Sequence, residues 1–304
     1  MARSTTLRRP ARDRAGRRGG PLPYLLVSPL AAFIVVLALV PAVYTVVEAF
    51  FRVQPLNPPV AFSGLENFKN VLSNATLQTS IGNTVLYVVI GVTASTLLAI
   101  GMAVTLQQPF RGRSVLIAIL VLPWALPGVV EGIVWGSIWD SNTGLFNSIL
   151  HSLHLIDNYV VFLGENRFLT ILGIELVQVW QITPLSTLLI LAALQQIPSD
   201  LYEAAALDGA SRWKAFRRVT LPLARPGITI AMVQAVIATL NVFDQPYVLN
   251  GSAATGSTVT MQTYFVSFQN LDFGAGYALS LLVTIATVVV SLVILKLVYR
   301  AVEY

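Results

Sequence analysis

Cysteine is missing from all 304 residues. That excludes disulfides, thiolate metal sites and a cysteine nucleophile. Charge is scarce too: Asp, Glu, Lys and Arg make up 11% of the chain, against roughly 25% in an ordinary soluble domain. Histidine occurs only as His151 and His154, which form no spaced ligand cluster with other residues. A GxxxxGK[ST] phosphate loop is absent. What is abundant is apolar side chain, 55% of the sequence, with a mean hydropathy of +0.72. One soluble core could not hide it, because core growth stalls near roughly 250–300 residues. The composition excludes a soluble enzyme, a disordered chain and a disulfide scaffold. It indicates an all-α, polytopic membrane protein.

A bilayer span needs about 20 mostly apolar residues. Six stretches qualify: 24–50, 81–106, 115–139, 169–194, 223–249 and 277–298. Pro123 and Pro127 interrupt the third, and Pro184 lies in the fourth. Basic residues set the orientation. All but three of the 19 Lys and Arg fall in the 1–23 tail, beside Arg111 and Arg113, in the loop from Arg212 to Arg225, or near Lys296 and Arg300. The opposite side holds Arg52, Lys69 and Arg167. Both termini are therefore expected in the cytoplasm. The first apolar stretch is too long for a signal-peptide core and is read as a retained helix. The basic tail reads as a disordered topology anchor against anionic lipid, with no nucleic-acid role. Of the two long outer loops, 140–167 carries an Asn142-Thr143-Gly144 turn signal and an apolar run, 145–155, that suits a short interfacial helix.

The fourth loop, 197–222, carries the most information. Ser199 or Asp200 can cap a short helix over 201–207, with Glu203 closing a capping box. Gly209 can end that helix at positive φ. A second, basic amphipathic helix follows over 211–219, and Pro222 and Pro226 govern re-entry into the membrane. Such a helix–Gly–helix on the membrane face suits either docking on a soluble partner or a plain interfacial linker.

Glu203-Ala204-Ala205, Asp208-Gly209-Ala210, Phe216, Val219, Leu221-Pro222 and Pro226 resemble the EAA loop of ABC importer permeases. The run Gly64-Leu65-Glu66-Asn67-Phe68 and the stretch Phe273-Gly274-Ala275-Gly276-Tyr277-Ala278 are similar to the first permease of the carbohydrate-uptake group, the maltose and glycerol-phosphate type. Members of that group can carry extra N-terminal spans and a large outer domain, and neither is seen here. The resemblance implies a six-span type I ABC importer permease fold in a bacterial cytoplasmic membrane. It implies a transport subunit rather than an enzyme. The implied partners are a second homologous permease, two ATPase subunits and an extracytoplasmic substrate-binding protein, all around a lipid-embedded pair. This chain would bind no cofactor, with ATP and Mg on the partner ATPase. Glu203, Ala204, Ala205, Asp208 and Gly209 would form the ATPase contact.

Ionisable groups inside a membrane usually face a bundle interior or a cavity. Here they are Glu131, Glu175 and Asp244. At helical spacing Trp124, Gly128, Glu131 and Trp135 share one stripe of span three, and Gln234, Ala238, Asn241 and Gln245 share one of span five. Glu175, Gln178 and Gln181 spread over a broader arc of span four. These groups are either glue between helices or a polar cavity in which amides, carboxylates and an indole suit a sugar. Gln178, Gln181, Asn241, Glu131, Trp135 and Asp244 form the candidate solute path, while Glu175 is expected to pair with a neighbouring helix. Counting from Pro198 and Pro222 puts Gln181 and Asn241 at similar depth. The leading function is the permease of an ATP-driven sugar importer. Alternatives are the same fold with glycerol phosphate, polyamine or peptide as cargo, an ion-driven secondary transporter, or a membrane enzyme. A secondary transporter leaves the EAA-like loop unexplained, and no cationic cluster inside the spans favours an anionic cargo.

Overall fold

The computed structural model describes residues 22–299. The basic tail up to residue 21 and Arg300 lie outside the described residues, so the orientation drawn from them rests on sequence. The chain divides into two compact units, Met1–Thr45 and Val46–Tyr304. The described part of the first is the bulk of a long apolar helix, α1 (Tyr24–Glu48), whose residues are not buried. A π-turn at Val35–Leu39 interrupts it, just before Pro41, which has no N–H to continue the regular ladder.

The second unit starts with a two-residue antiparallel pair, β1 (Phe51–Arg52) and β2 (Ala61–Phe62), then helix α2 (Glu66–Ser73). The long α3 (Ala75–Gln107) follows. Asn74 caps it by accepting from the N–H groups of Thr76 and Leu77 at 2.9 and 3.2 Å. Next come α4 (Arg113–Ala125), α5 (Gly128–Trp139) and the outer helix α6 (Leu145–Ser152). Asp140 ends α5 and builds the expected turn, accepting from Thr143 and Asn142 N–H at 2.7 and 2.9 Å. These bonds, Thr143's first, and the Thr143 hydroxyl hold its exposed carboxyl below the usual carboxylate range. Then come α7 (Arg167–Leu194), capped by Asn166, α8 (Ser199–Leu207), α9 (Arg212–Leu223) and α10 (Arg225–Leu240). Helices α11 (Asp244–Asn250), α12 (Val259–Tyr264) and α13 (Phe273–Val298) complete the chain.

Helices α3, α7 and α10 pack closely on one another, with α13 beside α10. Small residues allow the approach: a Cβ at Gly227 would overlap that of Ala193. Around this contact Ala99, Ala103, Ile190, Leu194 and Ala231 are buried. The Gln107 amide donates to the Leu194 carbonyl at 3.2 Å, so the C-terminal ends of α3 and α7 lie at one end of the bundle, with the 197–222 loop. Arg167 donates to Asn83 Oδ1 at 2.7 Å, joining their N-terminal ends at the other. There the two runs that resemble sugar-uptake permeases meet. Asn67 donates to the Ala49 and Phe51 carbonyls at 2.9 and 2.8 Å, and a Cβ at Gly274 would stand 3.0 Å from its Nδ2.

The third and fifth spans depart from the expectation of continuous helices. Helices α4 and α5 meet at 98°. Leu126, the residue before Pro127, is extended at φ −81° and ψ 142°, because the proline ring disfavours helical geometry there. Trp124 is thus severed from the stripe of Gly128, Glu131 and Trp135. Helix α10 stops at Leu240, and α11 starts at Asp244. Pro246 cannot donate to the Val242 carbonyl, and its ring would crowd it. The Gln234–Gln245 stripe is broken in consequence. A second bend of 67° at α9–α10 removes the basis for counting depth from Pro222.

Candidate functional site

Backbone polar groups freed inside a membrane need partners from the protein. The break after α10 has three. Gln178 Nε2 donates to the Ala238 carbonyl at 3.2 Å, Thr260 Oγ1 to Leu240 at 3.0 Å and Thr258 Oγ1 to Val242 at 2.9 Å. Gln178 is buried in this role and braces the broken helix. Asn241 is exposed and folds back on α10, donating to the Ile237 carbonyl at 2.8 Å. The two amides expected to face a common path thus point to different tasks.

Helices α5 and α11 lie against each other through a glycine ridge. A Cβ at Gly128 would stand 2.7 Å from Asp244 Oδ2, and one at Gly132 would stand 2.7 Å from Val248 Cβ. Gly136 faces Leu249. This close approach brings Glu131 and Gln245 together. The two protons of Gln245 Nε2 go to Glu131 Oε2 and Gln181 Oε1, each at 2.9 Å. One amide therefore ties the two broken spans to the unbroken α7. Glu131 Oε1 keeps no partner, although the residue is 1% exposed. Gln181 is half-buried. Asp244 lies beside this set at the start of α11, and its carboxylate accepts no hydrogen bond among the described residues.

Indoles flank the node. Trp135 stacks on Trp139 and meets Trp180 edge-on, with ring centroids 5.7 Å apart in both pairs. The structure thus unites Glu131, Gln181 and Trp135, adds Gln245 at their centre and puts Asp244 alongside. Gln245 was part of the helical stripe in the sequence but its position at the junction was not legible there: its partners are 64 and 114 residues away. Glu175 departs from expectation. Both its oxygens are buried without a hydrogen-bond partner, and a Cβ at Gly91 would overlap Oε1. The α3 glycine makes room for the carboxyl but offers it no donor.

The 197–222 loop has the opposite character. Gly209 takes φ +71°. Its N–H reaches the Ala206 carbonyl at 3.0 Å, and that of Ala210 reaches Ala205 at 2.9 Å. Those paired bonds form a Schellman end, as the glycine suggested. The capping box does not form. Pro198 occupies the cap position without a side-chain bond, because the helix starts at Ser199 and so draws Ser199 and Asp200 into its first turn. The second helix begins at Arg212, with a π-turn over Phe216–Thr220. Glu203, Ala204, Asp208 and Gly209 are exposed and Ala205 is half-buried. Leu207 and Trp213, 90% and 69% exposed, stand out on the same loop. Tyr202 ties α8 to the π-turn through a 3.2 Å contact of its hydroxyl with that of Thr220.

Long apolar helices, two of them broken around buried polar groups, define a multi-pass membrane transport component. Residues 91–304 match the family described as binding-protein-dependent transport system inner membrane component, and the chain belongs to that family. It is the membrane permease of such an ABC importer, a transport subunit rather than an enzyme. It is 36% identical to the trehalose/maltose transport system permease protein MalF of Thermococcus litoralis, over 92% of this chain and 94% of that one. Identity is 31% to the sulfoquinovosyl glycerol transport system permease protein SmoG of Agrobacterium fabrum, over 91% and 90%. Among solved structures, a bacterial ABC transporter involved in import of the acidic polysaccharide alginate shares the fold. Its TM-score is 0.79 at 21% identity, covering 93% of this chain and 96% of that one.

Proposed function

We propose that this permease conducts a neutral sugar and works beside a second homologous permease, two ATPase subunits and an extracytoplasmic binding protein. The observation that carries the reading is the Gln245 amide bridging Glu131 and Gln181 beside Trp135. Its hydrogen bonds are of the kind that sugar hydroxyls can replace, and an indole can receive the apolar face of a sugar ring. Trehalose and maltose in the name of a relative at 36% identity support the cargo class. Glu131, Gln181, Gln245 and Trp135 line the solute path, Asp244 flanks it and Asn241 stands at its edge. Gln178 braces the break below.

Both termini lie in the cytoplasm, and the loop meets the ATPase there. Glu203, Ala204, Ala205, Asp208 and Gly209 supply the contact, and the ATPase holds ATP and Mg. Closure of the ATPase moves α8. The motion reaches the node through α9, α10 and the break that leads into Gln245.

The test is uptake into proteoliposomes containing the full set of subunits, with radiolabelled maltose and trehalose. Uptake of at least one sugar should require ATP, the binding protein and this chain. The chain alone should take up neither. Ion-driven uptake by the chain alone contradicts the coupled mechanism. Uptake of glycerol phosphate, a polyamine or a peptide in place of both sugars contradicts the cargo.

A further inference from the structure

A second polar concavity lies far from the node, at the end of the bundle opposite the 197–222 loop. It has a volume of about 340 Å³ and lies between the 54–57 segment, α2, the start of α3 and the turn into α13. Gln54, Asn57, Asn70, Asn74, Asn270 and Asp272 converge on it. Gln54 Nε2 donates to Asp272 Oδ2 at 2.9 Å, which fixes that wall. Asn74 spends its Oδ1 on the cap of α3 and leaves its N–H groups available. The side-chain amides of Asn57, Asn70 and Asn270 make no hydrogen bond among the described residues. Leu271 occupies φ +56° between Asn270 and Asp272, a conformation leucine adopts at a cost. The N–H of Asn270 on the Phe265 carbonyl at 2.9 Å and that of Asp272 on Val266 at 3.0 Å hold the turn in place. Buried Val71 and Leu77 supply an apolar floor.

From this arrangement we propose that the concavity is a second, outer saccharide site, separate from the membrane node. Free amides both donate and accept, which matches hydroxyl groups. The apolar floor suits the C–H face of a pyranose. Neither lysine nor arginine lines the site, and Asp272 adds negative charge, so an anionic ligand is disfavoured. The volume falls in the range of small-molecule sites, roughly 300–1,000 Å³, with room for one or two sugar rings. Its position would let it hold a sugar before entry to the spans. The choice of ligand rests on the sugar reading above, but the site can fail without it.

The experiment uses the Cys-free full chain, in the assembled transporter in nanodiscs, with Leu56→Cys as the reporter. Leu56 lines the concavity and is 75% exposed. Without binding protein, saturating maltose or trehalose should slow labelling by a hydrophilic maleimide at least about threefold, and glucose 6-phosphate should not. Asn70→Ala and Asn270→Ala should each raise the sugar concentration for half-protection about threefold to tenfold, the equivalent of one hydrogen bond. Gln181→Ala should leave protection intact. Equal labelling with and without either sugar overturns the site, even where sugar uptake is normal. Protection by the binding protein alone makes the concavity a protein-docking surface and also overturns it. So does protection that survives both Asn variants but is lost in Gln181→Ala, because the sugar would then act from the node.

Discussion

The 197–222 loop and the Glu131–Gln245–Gln181 node solve opposite problems. In the loop the end of α8 and the start of α9 are closed locally, by bonds between residues a few positions apart, while large apolar side chains such as Leu207 and Trp213 face outwards. At the node the side chains are inside, and their bonds span long stretches of sequence. Glu131 Oε1 is left without a partner there. A self-contained element that presents exposed apolar side chains among charged ones can transmit force to a partner without losing its shape. A buried polar set with spare acceptors can exchange its partners for a solute's. The contrast separates a rigid contact from an adaptable path, and four substitutions bear on it.

The largest effect is expected at Gln245. Gln245→Leu strands acceptors on Glu131 and Gln181. Each stranded acceptor costs about 1–3 kcal/mol, so uptake should fall by roughly tenfold or more while copurification with the ATPase persists. Normal uptake would remove the node from the path. Gly209→Val comes next. A β-branched residue at φ +71° is strained by about 1–3 kcal/mol. Uptake should fall several-fold, with membrane insertion intact and ATPase association weakened. Wild-type values for both would reduce the loop to a linker. Thr258→Val, which frees the Val242 carbonyl and removes the cap on the Met261 N–H of α12, should lower stability by about 1–3 kcal/mol, read from thermal unfolding, with most transport retained. Lost transport at unchanged stability would mean that Thr258 belongs to the path itself.

Asp140→Ala should have the smallest effect, faster hydrogen exchange at Asn142 and Thr143 only. Acid should mimic it as a loss of protection relative to the intrinsic exchange rate at the same pH. The folded carboxyl lies below its ordinary range, so the turn's contribution is complete above about pH 4, the unfolded range, and fades as pH falls through the folded value. Protection relative to the intrinsic exchange rate that is insensitive to pH in that window would show that the carboxylate does not hold the turn.

The long spans and the loop were legible in the sequence because their signals are local: apolar length, a glycine at a helix end, a proline before re-entry. The capping box was misread because Pro198 takes the cap position that Ser199 or Asp200 seemed to claim. Pro127 and Pro246 were visible as residues, but a stripe counted at uniform helical spacing runs straight through both breaks. The joining of Glu131, Gln245 and Gln181 depends on two kinks and a glycine ridge acting together. A single sequence carries no signal of that pairing. Nor does it say which amide will brace the backbone, as Gln178 does, and which will remain on the path.

Exchange of partners at the node during transport is tested most directly by Gln181→Cys in this otherwise Cys-free chain, within the fully assembled transporter and with labelling read on this chain. A water-soluble thiol reagent is applied during ATP turnover, with and without the transported sugar. Labelling should occur and should slow by about threefold or more when sugar is present, because a hydroxyl that takes the Gln245 bond also covers position 181. A position that never labels, or that labels at one rate in both conditions, would make the node static glue between helices and place the solute path elsewhere.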